Sequence, residues 1–218
     1  IMPMTKSNQA YELLEEMITF QDLAPGSMVS ESILVELTGM GRSPVREALQ
    51  RLANDKMIEI YPSKGILIKP ISVETQLKLL EVRRFIGEYT NRMAACRATM
   101  EHRKEMLQII DELNKIEQMD QLKMLFKLLK RIHQLTILAA QNEYLDLVLS
   151  PLQGLARRFW LAHLDNRAEE LKKVAHLYAV KLHAISCSDE NAAGAASLNI
   201  NNYFTEYTYK TLSGIVKL

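Results

Sequence analysis

Arg42, Ser43, Arg46 and Gln50 share one side of the stretch Arg42-Ser43-Pro44-Val45-Arg46-Glu47-Ala48-Leu49-Gln50-Arg51-Leu52. Opposite them, Val45, Ala48, Leu49 and Leu52 fall at i, i+3, i+4 and i+7, an apolar stripe that a helix can bury against a small core. Pro44 suits the first helical turn, where its missing N–H has no partner to lose, and Ser43 is placed to cap it. A helix that starts at its arginines offers backbone N–H groups to phosphates and guanidinium forks to guanine edges. The chemistry on offer is recognition of nucleic acid. An amphipathic helix with a merely solvated arginine face carries the same pattern, so the flanks must decide.

Upstream, Ala10, Leu13, Leu14, Met17 and Ile18 keep a helical period from Ser7 to Phe20. Leu23-Ala24-Pro25-Gly26 ends that helix, Ser30 can cap a second one carrying Ile33, Leu34 and Leu37, and Gly39 to Gly41 closes it. Two helices joined by a tight glycine-containing turn make a helix-turn-helix. Downstream, Met57–Tyr61 and Gly65–Lys69 are short β-rich runs around Pro62-Ser63-Lys64, a hairpin with Lys64 and Gly65 at its tip. The first 70 residues therefore predict a winged helix.

Charge agrees with this placement. The formal net charge of +1 leaves no basic coat, so any nucleic-acid contact must be a local patch. Residues 1–41 carry one Lys against six acids, whereas residues 42–70 carry six Lys and Arg against three. With 48% hydrophobic and 24% charged residues the chain reads as globular. No apolar run is long enough to span a bilayer, and the start lacks a signal-peptide pattern, so a cytoplasmic protein is expected. Cys96 and Cys187 lack metal or redox spacing and are expected as buried free thiols.

Residues 8–70 resemble the DNA-binding domain of the GntR family of bacterial transcription regulators. The resemblance is carried by Pro25-Gly26, by Gly39, by Gly41-Arg42-Ser43-Pro44-Val45-Arg46-Glu47-Ala48-Leu49 with Arg51-Leu52, and by the wing Gly65. It departs at Gly41, where the family usually has Ser, and at Thr38, where it usually has an apolar residue. The resemblance implies that Arg42 and Arg46 contact DNA and that Lys64 and Gly65 bring the wing to the minor groove.

Beyond Pro70-Ile71-Ser72 only helical periods appear, predicting a mainly α protein: a winged helix-turn-helix over 1–70 and an antiparallel all-α bundle over 71–218. This second part resembles, more weakly, the FCD effector domain of the FadR subfamily, through Glu81-Val82-Arg83, His133 followed by Asn142, and Ala184-Ile185 with Asp189. The family's bundle commonly holds a metal, bound by an Asp four residues before a first His and by two later histidines. Those positions fall at Leu129, His133, Tyr178 and Ile200, so one ligand of four survives and no metal cofactor is expected. His176 or His183 could restore a site only in another register. The family's Arg-x-x-Leu-Glu run reads Arg83-Arg84-Phe85-Ile86-Gly87.

The reading that follows is a sequence-specific DNA-binding regulator, a repressor by expectation, acting as a homodimer on a palindromic operator. Its control would come from a small molecule, anionic if it uses Arg83, in a pocket of Arg83, Leu129, His133 and Tyr178. A constitutive regulator with a vestigial effector domain is the alternative; a narrow apolar interior would favour it. A helical enzyme tethered to DNA is the other rival, but no nucleophile with a base, phosphate-binding glycine loop or metal triad supports it.

Overall fold

The computed structural model describes residues 4–117, 119–164 and 167–215; the extreme ends of the two expected domains, 1–3 and 216–218, lie outside them. By their internal contacts the described residues form two compact units. The first takes the chain up to Thr75 together with Gly154–Ala162, and the second takes Gln76–Gln153 and the chain from His163 on.

The first unit begins with α1 (Lys6–Thr19), capped by the Thr5 hydroxyl, which accepts from the Asn8 N–H. Strand β1 (Met28–Val29) leads to α2 (Glu31–Thr38), whose N-cap Ser30 accepts from the Ile33 N–H and whose end is turned by Gly39 at φ +63°. Helix α3 (Arg42–Asn54) follows, then the wing strands β2 (Ile58–Tyr61) and β3 (Gly65–Ile68). Ala10, Leu14 and Ile18 of α1, Leu34 of α2, and Val45, Ala48, Leu49 and Leu52 of α3 close one core with Met57, Ile58, Ile66 and Ile68. Thr38 fits this core because its hydroxyl donates back to the Leu34 and Val35 carbonyls.

The expected wing hairpin of β2 and β3 is present and gains a strand the sequence did not announce: β1 pairs antiparallel with β3, Met28 opposite Leu67 and Val29 opposite Ile66, giving the order β1-β3-β2. A two-residue strand leaves no alternation to read; its place is set by the turn at Gly26, whose N–H donates to the Ile68 carbonyl at 2.7 Å. Helix α3 also starts earlier than expected. Gly41, with φ −69° and ψ 165°, is its N-cap and makes no side-chain cap bond, so Ser43 and Pro44 lie within the first turn. Proline is tolerated there because the first-turn N–H groups have no intrahelical acceptor anyway.

The second unit is helical throughout its described residues. It holds α4 (Val73–Arg97, from Gln76 on), α5 (Met100–Leu113), α6 (Leu122–Ala140), the first half of α7 (Tyr144–Ala162), α8 (Arg167–Ser186) and α9 (Glu190–Ile215). The Ser72 hydroxyl caps α4 by accepting from Thr75 N–H. Helix α8 packs against α5, α6 and α9, and 11 of the 19 residues of α6 are buried, which makes these two the centre of the bundle. Cys96 and Cys187 are free, but exposed rather than buried. Both stand at helix ends, where the Cys96 thiol donates to Glu190 and Cys187 lies beside His183.

The second half of α7 serves the first unit. Arg157 Nη2 donates to Glu15 at 3.2 Å, Arg158 Nη2 donates to the Lys69 carbonyl at 2.6 Å, and Gly154 leaves space that Met57 fills. Arg157 and Arg158 are thus engaged inside the first unit.

Candidate functional site

The exposed face of α3 carries Arg42, Ser43, Arg46 and Gln50, while Val45, Ala48 and Leu52 beneath them are fully buried. Burying Val45, Leu49 and Leu52 at about 1.5–3 kcal/mol each fixes which way the polar face points. Arg46 is held by Glu31 in the first turn of α2: its Nε donates to both carboxylate oxygens at 2.9 Å, with the arginine side chain 63% exposed. Hydrogen bonding to Glu31, then its charge, pushes the Arg46 pKa further up, so the guanidinium stays charged.

At the wing tip, Ser63 takes φ +62° and the Lys64 N–H donates to the Tyr61 carbonyl, which leaves the Lys64 side chain exposed. Gly65 has a local reason for its identity. Its φ is +122°, and a Cβ there would stand 3.0 Å from the Val29 carbonyl oxygen of β1.

The second unit encloses a polar cavity of about 30 Å³. Arg83 from α4, His133 from α6 and Tyr178 from α8 meet there, and the sequence reading had grouped these three. Leu129 does not line it: at 1% exposure it belongs to the apolar core, one helical turn below His133. His133 Nε2 lies 3.2 Å from the Tyr178 hydroxyl, an edge-on ring pair buried at 5% and 2% exposure. His176 and His183 are exposed, on faces of α8 that do not reach the cavity. Among the described residues no three His, Cys, Asp or Glu side chains group as a metal site. The positions that the resemblance gives to the family's metal ligands hold Leu129, Tyr178 and Ile200 beside the one imidazole of His133, and those side chains do not fit a metal.

Sequence reasoning missed Lys181, which also lines the cavity at 4% exposure. Burial pushes its pKa down to about 7, and the Arg83 cation adds to the effect. The signal was present: Lys181 interrupts the apolar stripe of α8 formed by Leu171, Val174, Ala175, Tyr178, Leu182 and Ile185. Asn91, Gln153, Ser197 and Asn201, also missed, make up the rest of the polar lining.

A winged helix-turn-helix with an arginine-led α3, followed by a helical domain around a polar cavity, defines a ligand-responsive DNA-binding regulator. The chain belongs to the gntR family of bacterial regulatory proteins, with residues 6–68 matching that family and residues 78–202 matching the FCD domain. These are transcription regulators, not enzymes. The chain is 28% identical over 170 residues to the Nta operon transcriptional regulator of Aminobacter aminovorans, covering 78% of this chain and 79% of that one. It is 29% identical over 129 residues to the HTH-type transcriptional repressor RspR of Escherichia coli, covering 59% and 57%. Its fold matches E. coli McbR/YncC with a TM-score of 0.79 at 15% identity, covering 96% of this chain and 100% of that one. A transcriptional regulator from Rhodococcus sp. RHA1 matches with a TM-score of 0.66 at 16% identity, covering 96% and 99%.

Proposed function

We propose that the protein is a repressor that binds a palindromic operator as a homodimer and is controlled by a small anionic molecule in the bundle cavity. The observation that carries this is the exposed face of α3, where Arg42, Ser43, Arg46 and Gln50 stand over a fully buried stripe. Docked in the major groove, Arg46 gives bidentate contacts to a guanine edge, Arg42 and Ser43 hold phosphates at the helix start, and Gln50 reads a neighbouring base. Lys64 neutralises phosphate from the wing, and Gly65 shapes the tip. An exposed apolar stripe on α4, with Val82, Phe85 and Tyr89 at 45%, 73% and 46% exposure, supports self-association. Two-fold symmetry then favours an inverted-repeat operator.

A cavity lined by charged and polar groups favours a sensor over a constitutive regulator, whose bundle would need only an apolar interior. No helix among the described residues is long and apolar enough to cross a membrane, in keeping with action on cytoplasmic DNA. The test is a gel-shift titration with Arg46→Ala. Loss of one bidentate arginine–guanine contact should weaken specific binding at least tenfold, with the circular dichroism melt unchanged. A folded variant with wild-type affinity would refute the assignment.

A further inference from the structure

Helix α6 carries its charge at one end. It holds no acid between Leu122 and Ala140, and its cations Lys123, Lys127, Lys130 and Arg131 all precede Ile132. Just past its last turn stand two acids, Glu143 and Asp146. Cations near the start of a helix oppose its macrodipole, so the stability of α6 alone does not account for this order. Arg131 is answered within the bundle, where its Nη2 donates to Glu105 of α5 at 2.7 Å. Lys127 and Glu143 are exposed, and among the described residues neither has a partner of opposite charge.

Between the basic and acidic ends lies an open groove of about 520 Å³, lined by Arg131, Gln134, Ile137 and Leu138 of α6 and by Glu143 and Asp146. Apolar side chains stand out around it: Leu138 is 54% exposed, Met124 37%, and Leu147 at the start of α7 73%. Such a patch beside a groove is the mark of a surface that a macromolecule covers.

The symmetry of these features selects the occupant. Gln134 is exposed, with Lys127 seven residues before it and Gln141 seven residues after it, each about 10 Å away along the chain at ~1.5 Å per residue, and Glu143 just beyond. A face with opposite charges on either side of one point is complementary to itself once it is turned by a two-fold rotation about that point. DNA, the other partner that a row of lysines suits, is repelled by Glu143 and Asp146 and gains nothing from Leu138.

We propose that the groove between α6 and α7 is a second self-association face, on which another copy of the chain docks antiparallel about Gln134, Lys127 of each copy against Glu143 of the other. The face is distinct from the α4 stripe of Val82, Phe85 and Tyr89. Two such faces on one chain join four copies and bring two pairs of α3 helices into one assembly.

Sedimentation velocity of the full chain tests this. The wild type is expected to pass from dimer to tetramer as concentration rises, and added salt should reverse that step because the charge pairs lie at an exposed rim. Lys127→Glu and Glu143→Lys should each weaken the step by roughly tenfold or more, since either change sets like charges together twice about the axis. The double variant should recover it, and all three should melt with the wild type, both residues being exposed. Single variants with the wild-type distribution, or a double variant that does not recover, would overturn the proposal. Lys127→Glu that weakens DNA binding and leaves assembly unchanged would also overturn it and give the lysine to DNA. Dimers that Lys127→Glu turns into monomers while Phe85→Asp leaves them intact would keep the groove contact and remove the α4 one.

Discussion

Glu31 accepts from the Arg46 Nε, so in the proposed docking DNA displaces a carboxylate before Arg46 reaches a base. Glu31→Gln should accordingly raise operator affinity several-fold, since the competing anion and its repulsion of phosphate both vanish. A gel-shift titration giving equal or lower affinity would place Arg46 elsewhere. Lys181 makes a separate prediction about pH. Its folded pKa of about 7 lies below the ordinary lysine value of 10.5, so between these values the unfolded chain holds more protons than the folded one. Stability must then rise with pH from about 7 and level off near the ordinary lysine value, and Lys181→Met should flatten that rise. Arg83, His133 and Tyr178 face Lys181 in the cavity, and α7 and α9 contribute no titratable group to its lining. Denaturant melts from pH 6.5 to 10 check this; a parallel slope in the variant would assign the effect to another group. Arg42, Arg46 and His133 were legible in the sequence because their side chains break or oppose an apolar period. Glu31 and Asn201 were not, because Glu31 matters through Arg46 on the next helix and Asn201 through a cavity that only the folded bundle assembles.

At the scale of elements, Gly65 ties the wing together. Gly65→Ala must place a Cβ at φ +122° and 3.0 Å from the Val29 carbonyl, so it should destabilise the first unit by about 1–3 kcal/mol. Thermal melting of the variant at the wild-type temperature would show that β1 and β3 do not pack as described. The helices and their caps were readable in advance: Ser30, Gly39 and Ser72 each act where the pattern placed them. The strand β1 was not, because pairing of two residues depends on a turn that only the folded sheet selects. The start of α3 was displaced for a related reason: Gly41 offers no side chain to announce an N-cap, yet its backbone takes the cap conformation.

At the scale of the whole molecule, a division of the chain at residue 70 does not describe how α7 is used. Its residues 154–162 belong by contact with the first unit, and Pro151 stands just before that change of allegiance. A linear reading cannot see this, since an apolar period reports that a face is buried and not what buries it. The buried Arg157–Glu15 pair makes the assignment testable. Arg157→Met removes the arginine of this buried pair from a carboxylate at 2% exposure and should cost about 3–5 kcal/mol, read as an early loss of the first unit's fold in hydrogen exchange. Uniform protection would mean that α7 contributes little to that unit.

The proposed function requires that α3 select a DNA sequence on behalf of a two-fold assembly. In vitro selection from randomised duplex DNA, run with the wild-type chain and with Arg46→Ala, tests it most directly. The wild type should enrich an inverted repeat with half-sites about one helical turn apart, and the variant should lose a guanine preference in each half-site. No enriched motif, or the same motif from both proteins, would contradict it.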